Sequence, residues 1–355
     1  MPQLVSDFDY DLSQELIAQS PAQPRENAKL MLFNRSTGAI EHHHVGDLPS
    51  YFYPGDIVVI NNTKVFHARL HGTILDKRIE LFLVRPVENN QWLALGKPGK
   101  KILTGSTILI AENFFCRVTE KNSDGTFTVT FPQTPEDVIN LANMYGDIPT
   151  PPYIKKVPKD SDYQTIYAKY VGSVAAPTAG FHLTKQILTT LKENGVTILE
   201  ITLHVGLGTF MPIKSDTLES HTMHSEWVEI TDEVAHTINK GKQNGQRIVA
   251  VGTTTVRTLE GVAALHDGVL KNFRGDINLF ITPGFHFQVI DSMLTNFHLP
   301  KSTLIVLVSA FACPPEAAPS GANRRTGREL ILHAYREAIN NHYRFYSFGD
   351  AMLIC

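Results

Sequence analysis

Short apolar runs follow one another at close spacing between residues 56 and 131, and turn-forming pairs separate them. Asp124-Gly125, between two alternating runs, is the strongest turn signal, because this pair readily adopts the backbone of a two-residue hairpin. Strands of this length and spacing predict a small barrel or sandwich. The runs are IVVIN, ARLHGTI, IELFLVRP, QWLAL, STILIA, FCRVTE and TFTVTF.

The pattern changes beyond this region. Residues 136–145 have the spacing of a short helix, and the proline-rich segment 148–154 then requires an extended backbone, because proline fixes φ and restricts the residue before it. We interpret this segment as the return from an inserted module. The expected fold is an α/β (mixed α+β) large domain, residues 1–67 and 150–355, with an inserted small all-β barrel domain at residues 68–149.

The remainder of the chain alternates between helical periods and buried-looking strands, which is typical of an α/β unit. Thr184 and Ser302 each precede a helical run and are predicted to cap it, because a hydroxyl there accepts a free backbone N–H. Segment 313–326 is rich in Pro, Ala, Ser and Gly and is expected to be a surface loop. Predicted helices cover residues 184–193, 232–243, 254–265, 304–312 and 327–340, and predicted strands cover residues 196–203, 248–252 and 278–282.

The composition is that of a globular protein without a membrane span. Of the 355 residues, 43% are hydrophobic and 19% are charged, and the mean hydropathy is −0.09. No window approaches the ~18 consecutive apolar residues of a spanning helix. Acidic side chains occupy the first 20 residues, where a signal peptide would be basic and then apolar. The expected location is the cytoplasm.

The net charge of −3 gives no global sign of nucleic-acid binding, but a local basic face remains compatible with it. Such a face would combine Lys97, Lys100 and Lys101 in KPGKK with Lys155 and Lys156; the alternative is that these side chains are simply solvated. The three cysteines are isolated along the chain, which excludes an iron–sulfur cluster or a zinc knuckle.

Polar and glycine residues concentrate in four segments that follow predicted strands or precede predicted helices. Glycine permits close approach of backbone and ligand, and polar side chains at strand ends supply hydrogen bonds where α/β proteins bind ligands. Each segment also has a structural explanation, as a turn, a helix cap, an i,i+3 ion pair between Arg257 and Glu260, or a satisfied histidine. The candidates are Thr178, Gly180 and His182; His204, Gly206, Gly208 and Thr209; Thr253, Thr254, Arg257 and Glu260; and Asn296 and His298.

The histidine-rich segments of the sequence do not favour a metal site. His221, His224 and Glu226 have a spacing that imitates metal ligands, but they fall between predicted elements, so a shared face cannot be assumed. Residues 42–44 form a run of three histidines, which on a protein surface is usually solvated. We therefore expect no bound metal.

The blocks PGDIVVINNTKVFHARL, PPYI, GSVAAPTAGFHLT, LHVGLGTF, VGTTTVRTLE, LTNFHLPKSTL and YRFYSFGDAM occur in this order along the chain. Together they resemble the S-adenosylmethionine:tRNA ribosyltransferase-isomerase family of queuosine biosynthesis, over nearly the whole length. The resemblance implies transfer of the ribosyl part of S-adenosylmethionine to 7-aminomethyl-7-deazaguanine at the tRNA wobble position, which forms epoxyqueuosine and releases adenine and methionine. It also implies a monomer that uses S-adenosylmethionine as a consumed substrate and has no separate cofactor.

This chemistry needs a base near the carbon beside the sulfonium and a group that protonates the departing adenine. The catalytic candidates are His182, His204, His298 and Asp291. The other polar residues of the four segments are candidates for substrate binding, and the five lysines for RNA binding. A methyltransferase with the same donor and a non-catalytic RNA-binding module remain open; the former should begin with a strand and a glycine loop, which residues 1–40 do not offer.

Overall fold

A computed structural model describes residues 2–156, 158–206, 213–313 and 326–355. The helices are α1 (Pro135–Tyr145), α2 (Lys185–Glu193), α3 (Asp232–Gln243), α4 (Thr253–Ala264), α5 (Thr303–Ala312) and α6 (Gly327–Asn340). The strands are β1 (Lys29–Phe33), β2 (Ile40–His44), β3 (Ile57–Asn61), β4 (Thr63–Val65), β5 (Arg69–Ile74), β6 (Lys77–Pro86), β7 (Gln91–Lys97), β8 (Thr107–Ala111), β9 (Phe114–Lys121), β10 (Phe127–Thr130), β11 (Tyr170–Ser173), β12 (Thr197–His204), β13 (Glu226–Ile230), β14 (Ile248–Val251), β15 (Phe273–Ile277), β16 (Ser292–Asn296) and β17 (Ala351–Ile354).

Strands β5 to β10 close into an antiparallel barrel in the order β10-β7-β6-β5-β8-β9. Buried apolar side chains fill its interior, among them Trp92, Phe114 and Phe127, and α1 packs on the same core. The predicted hairpin at Asp124-Gly125 joins β9 to β10, with Gly125 at a φ of 88°. The barrel expected from the spacing of the apolar runs is confirmed.

The chain enters and leaves the barrel at one place. Arg69 is the first residue of β5, and Asp147 follows α1. The amide of Arg69 donates to the carbonyl of Asp147 at 3.2 Å, and the amide of Asp147 donates back at 2.9 Å. The entry and exit segments therefore lie side by side as an antiparallel bridge.

The rest of the chain is built on a nine-stranded mixed sheet in the order β15-β13-β12-β3-β14-β16-β17-β1-β2. Neighbours β12, β3, β14 and β16 are parallel, so their carboxyl ends meet at one edge of the sheet. Strands β4 and β11 form a separate parallel pair.

Alternate side chains of β3 face opposite layers, as the two-residue period of a strand requires. Ile57 and Val59 belong to the core formed with α3, α4, α5 and α6. Val58 and Ile60 belong to the core that includes α2. Every residue of β3 is buried because both faces are covered. The mixed α/β fold with an inserted barrel, expected from the sequence, is confirmed.

Five of the six described α-helices begin after a residue whose hydroxyl accepts a free backbone N–H, namely Thr134, Thr184, Thr231, Ser302 and Thr326. The predicted caps Thr184 and Ser302 are among them. Helix α4 begins after Gly252, which has a φ of 88° and a ψ of 150° and offers no side-chain cap. The N terminus of α4 is therefore open.

Residues 278–282 are not a strand, contrary to the prediction from their apolar run. The edge strand β15 ends at Ile277, paired with β13. The carbonyl of Leu279 accepts a hydrogen bond from Nε of Arg257 at 3.2 Å instead of from a strand partner. Leu279 and Phe280 pack against the core from a loop, and a run of this kind has the composition of a strand without its pairing.

Candidate active site

A cleft opens at the edge where the parallel strands end. Strands β14 and β16 are neighbours, with Val251 opposite Leu294. Residues 252–254, which follow β14, and residues 296–298, at and just after the end of β16, therefore meet in the wall of the cleft. Its empty volume, including the space open to solvent, is about 630 Å³.

The wall of the cleft comes from segments that are distant in sequence. It is lined by Tyr153, residues 175–179, Val205, residues 252–254, residues 295–299, Leu304, Tyr346 and Ser347. Among these described residues there is no Asp, Glu, Lys or Arg, so a charged ligand meets hydroxyl, amide, imidazole, phenol and backbone groups. The structure thus brings together five sequence candidates, namely Thr178, Thr253, Thr254, Asn296 and His298.

Asn296 ends β16 and connects the cleft to a second buried imidazole. Its Oδ1 accepts a hydrogen bond from the hydroxyl of Thr178 at 3.0 Å, and its Nδ2 lies 3.1 Å from Nε2 of His182. With Nδ2 as the donor, Nε2 of His182 is the acceptor and the ring proton lies on Nδ1. Burial, assisted by the charges of Arg25 and Arg344, lowers the pKa of His182 to about 3. This imidazole is therefore neutral at pH 7.

His298 lies in a buried chain of hydrogen bonds beneath the cleft wall. Its Nε2 is 3.2 Å from Oγ1 of Thr295, and its Nδ1 is 3.4 Å from the phenol oxygen of Tyr335. The same phenol oxygen accepts the backbone N–H of His298 at 3.0 Å, and the hydroxyl of Tyr10 donates to the carbonyl of His298. Burial lowers the pKa of His298 to about 3, so this ring is also neutral.

The donors and acceptors in this series of hydrogen bonds follow from the acceptors that each hydroxyl can reach. Tyr335 is fully buried, and within the described part of the molecule Nδ1 of His298 is the one acceptor in reach of its proton. The phenol therefore donates to Nδ1, and the ring proton on Nε2 points to Thr295. The opposite tautomer would leave the phenol proton without an acceptor, at a cost of about 1–3 kcal/mol. Since Thr295 lines the cleft, its own hydroxyl proton is available to a ligand.

Two tyrosines that were not among the candidates form part of the wall. The ring centroids of Tyr153 and Tyr346 lie 4.8 Å apart, and the hydroxyl of Tyr153 is 2.8 Å from Oγ of Ser347. Tyr346 has a φ of 70°, a conformation that is rare for bulky side chains and clusters at functional sites. Both lie in quoted sequence blocks, PPYI and YRFYSFGDAM, but no local pattern distinguishes a cleft tyrosine from a core tyrosine.

His204 ends β12 at the same edge but lies outside the cleft. Its ring stacks on Trp227 with a centroid distance of 5.0 Å and 13° between the planes, and its Nδ1 is 2.8 Å from the hydroxyl of Thr63. The next residue, Val205, lines the cleft, and successive strand side chains point to opposite faces. Burial lowers the pKa of His204 to about 4. The structure thus separates His204 from His298.

Asp291 lies at the opposite edge of the sheet from His298. It precedes β16, and its Oδ2 accepts the amide of Ile248, the first residue of β14, at 2.8 Å. The extended chain from Asp291 to Asn296 spans roughly 16 Å. The expectation that Asp291 acts on a ligand with His298 is therefore not supported, because its carboxylate instead satisfies a buried strand amide.

Arg257 and Glu260 are buried and bound to groups outside the cleft. Arg257 forms an ion pair with Glu226 of β13, not with Glu260. Glu260 accepts three backbone amides, those of residues 288–290, at 2.8 to 3.0 Å. Burial raises the pKa of Glu260 against the opposing effect of these amides. Neither side chain lines the cleft, so both hold its surroundings in place rather than contact a ligand.

The glycine candidates differ in their surroundings. A Cβ at Gly180 would overlap the hydroxyl of Tyr167, so this glycine permits close packing within the protein. A Cβ at Gly206 would meet no atom within 4 Å, and the amide of Gly206 donates to Oε1 of Glu226 at 3.3 Å. The candidates Gly208 and Thr209 lie outside the described residues, as does most of segment 313–326.

The five lysine candidates are exposed at two places. They are Lys97, Lys100, Lys101, Lys155 and Lys156. The first three lie on the barrel, at the end of β7 and in the short turn Gly99–Lys101. The last two follow the cleft-lining Tyr153 within three residues, so they lie beside the cleft.

Metal and membrane sites were also considered. Across the described ranges, no three His, Cys, Asp or Glu side chains come together as a metal site. Glu226 of the triplet that imitates metal ligands is paired with Arg257. In the same ranges no helix has the length and apolar composition of a membrane span.

Fold and site together define an α/β protein with an inserted barrel and a ligand cleft at the carboxyl edge of its sheet. The sequence model of the family described as queuosine biosynthesis protein matches residues 5–354, and the chain belongs to this family. A crystal structure from Thermotoga maritima, described as S-adenosylmethionine tRNA ribosyltransferase, is similar to it, with 35% sequence identity and a TM-score of 0.56. The match covers 99% of this chain and 100% of that chain. The family resemblance inferred from the ordered blocks is confirmed.

Proposed function

We propose that the chain transfers the ribosyl moiety of S-adenosylmethionine to the 7-aminomethyl-7-deazaguanine base at the wobble position of a tRNA and isomerises it to epoxyqueuosine. Adenine and methionine are released. Membership of the queuosine biosynthesis family and likeness to a ribosyltransferase support a transferase that modifies tRNA. The observation that carries the proposal is the cleft, which is lined by hydrogen-bonding groups at the ends of two parallel strands.

The donor would bring a sulfonium cation into a cleft whose described lining holds no carboxylate. The face of an aromatic ring is one partner that suits such a cation, and Tyr153 and Tyr346 are the tyrosines of the wall. A cation over such a ring gains about 0.5–2 kcal/mol, the larger value where water is excluded. The sulfonium therefore binds on the tyrosine side of the cleft.

Proton transfer in this reaction would depend on neutral groups. His298 is the imidazole of the described cleft lining. Because burial keeps it neutral, it adds no positive charge that would repel the sulfonium. Thr295 supplies a hydrogen bond to the reacting nucleoside, and His298 acts through Thr295, because its two ring nitrogens are bonded to Thr295 and Tyr335. His182 reaches the cleft through Asn296 and is a positioning residue.

The tRNA would present its base from a single-stranded loop, and enzymes that act on such a base turn it out into a pocket. Lys155 and Lys156 are exposed beside the cleft, where they would contact the phosphates of that loop. Lys97, Lys100 and Lys101 would extend the contact to the stem from the barrel. Their contribution would be independent of base sequence.

Product analysis separates this function from the alternatives. The purified chain is incubated with S-adenosylmethionine labelled in its ribose and with tRNA that carries the deazaguanine base. Ribosyl transfer yields one adenine and one methionine for each tRNA that becomes labelled. A methyltransferase would instead release S-adenosylhomocysteine, and a non-catalytic RNA-binding module would bind the tRNA and release neither product; each of these results would refute the proposal.

In this proposal S-adenosylmethionine is a consumed substrate and no separate cofactor is needed. The protein acts as a monomer in the cytoplasm. Turnover should then persist in the presence of a strong chelator. Sedimentation at assay concentration should give the 39.5 kDa mass of one chain. Turnover that requires an added metal, or a mass of two chains, would contradict these parts of the proposal.

A further inference from the structure

The N terminus of α4 opens into the cleft. The helix begins directly after Gly252, whose backbone conformation, with φ at 88° and ψ at 150°, is accessible essentially to glycine alone. The first intrahelical hydrogen bond runs from the amide of Val256 to the carbonyl of Gly252 at 3.2 Å. The amides of residues 253–255 come before this bond and have no acceptor within the helix. Residues 252–254 line the cleft.

Two threonine hydroxyls at the same place also lack partners. Thr253 is 7% exposed and lines the cleft, and its hydroxyl makes no hydrogen bond to the described residues. Oγ1 of Thr254 is buried and has no partner there either. The hydroxyls of Thr255 and Thr258, by contrast, donate to carbonyls one turn earlier at 2.7 and 2.9 Å. A buried donor without an acceptor is destabilising, and here a ligand in the cleft would supply the acceptor.

The partial positive charge of this helix end is not neutralised by side chains. No acidic residue lies in the first turn of α4, and the described lining of the cleft contains no charged side chain. A helix N terminus favours an anion, and its free amides bind phosphate and carboxylate groups. An anion in this cleft therefore finds its strongest described partner at α4.

We propose that the N terminus of α4 is an oxyanion subsite, in which the amides of residues 253–255 and the hydroxyls of Thr253 and Thr254 bind a carboxylate or phosphate of the substrate. This inference rests on the proposed function and names one part of its substrate recognition. Two parts of the substrates could supply this anion. One is the α-carboxylate of S-adenosylmethionine, and the other is the phosphate next to the turned-out tRNA base.

Single substitutions distinguish these sources. Thr253→Val and Thr254→Val each remove one hydroxyl and keep the β-branched shape. Thr258→Val is the matched control, because its hydroxyl lies in the same helix and is bonded to the carbonyl of Thr254. Calorimetry gives dissociation constants for S-adenosylmethionine, for its decarboxylated analogue and for the tRNA. The control should bind all three as the parent does.

If the anion is the donor carboxylate, each cleft variant weakens binding of S-adenosylmethionine about tenfold. The decarboxylated analogue then binds weakly to the parent and is unaffected by either substitution. If the anion is a tRNA phosphate, the variants weaken the tRNA about tenfold and leave the donor unchanged. Parent-like binding of both substrates by both variants would overturn the subsite, and so would equal losses for the donor and its analogue.

A second measurement needs no variant. Titration with inorganic phosphate should shift the ¹⁵N-amide resonances of residues 253–255 in the parent chain, and unmoved resonances would overturn the subsite. Failure of the proposed function is a separate result. A chain that binds S-adenosylmethionine through this helix end but releases no adenine would refute ribosyl transfer and leave the oxyanion subsite in place.

Discussion

The two edges of the large sheet belong to the same parallel strands but satisfy their polar groups differently. At the amino-terminal edge, Arg247 donates to both carboxylate oxygens of Asp56, and Asp291 accepts the first amide of β14. At the carboxyl edge, His182 and His298 are buried and neutral. One edge has its charges paired, whereas the other combines neutral rings with unpartnered donors.

This difference assigns the two edges different roles. Paired charges and satisfied amides hold three strand beginnings together and offer nothing to a ligand. The hydroxyls of Thr253, Thr254 and Thr295 remain available at the other edge, where the cleft forms. We therefore expect substitutions at the amino-terminal edge to change stability and those at the carboxyl edge to change turnover.

The largest effect should come from Asp56→Ala. The Asp56 side chain is 7% exposed, and its removal leaves the guanidinium of Arg247 without its ion-pair partner. Loss of one member of a buried pair costs about 3–5 kcal/mol. Urea unfolding should show this loss, whereas turnover per folded molecule stays at the parent value. Asp11→Ala, at an exposed position, is the control, and equal stability of the two variants would contradict the prediction.

His298→Ala should lower the rate of adenine release about 100-fold, a loss typical of removing one positioned hydrogen-bonding or proton-transfer group. His182→Ala should lower it in the same direction, because Asn296 loses its partner. Circular dichroism should show both variants folded. His204→Ala is the comparison, since that ring lies outside the cleft and its loss should spare turnover. Full activity of both His298→Ala and His182→Ala would refute the site.

The unfolding free energy should fall as the pH drops from about 6.5 to about 3. The pKa of His298 is about 3 in the folded chain, against about 6.5 for an unfolded imidazole. Between these two pKa values the unfolded state binds one more proton at this ring than the folded state does. The free energy of unfolding therefore rises with pH by up to about 1.4 kcal/mol per pH unit for this ring. Above the pKa of the unfolded imidazole the full contribution is present. In urea titrations at pH 4 to 7, His298→Asn should reduce the slope by the contribution of this ring, while the contributions of His182 and His204 remain. An unchanged slope would show that the ring is not held neutral.

The smallest effect should come from Tyr335→Phe, which removes the proton donor to Nδ1 of His298. We expect a roughly fivefold lower kcat, since one neutral hydrogen bond contributes about 1 kcal/mol, with little change in KM. The ¹⁵N resonances of His298 should show a changed tautomer. Tyr343→Phe is the control, because Tyr343 also packs on Phe297 but bonds to His42. Identical spectra and rates for the parent and Tyr335→Phe would contradict the tautomer assignment.

Local patterns were sufficient for much of the fold. Most barrel strands pair antiparallel with the next strand along the chain, and the cap Thr184 marks the beginning of α2. Strands β1, β2, β4, β11, β13, β15, β16 and β17 were not predicted. Leu30 of β1 pairs with Ala351 of β17 across nearly the whole chain, and no short window contains that pairing.

The prediction of the site was limited in the same way, because local patterns do not contain long-range pairing. Thr253, Asn296 and His298 share the cleft wall, as expected for polar residues that follow buried strands at one edge of a parallel sheet. His204 lies outside the cleft because one residue of register turns its ring to the other face. The position of Asp291 at the beginning of β16 could not be predicted because the strand that follows it was not predicted.

The bridge between Arg69 and Asp147 has a consequence for the ancestry of the chain. Because the two crossing points touch backbone to backbone, a linker of a few residues would rejoin the host domain if the barrel were excised. An attachment of this geometry lets a lineage acquire, exchange or discard a whole module by a single recombination event. The barrel could thus be lost or replaced while the nine-stranded sheet keeps its own cores.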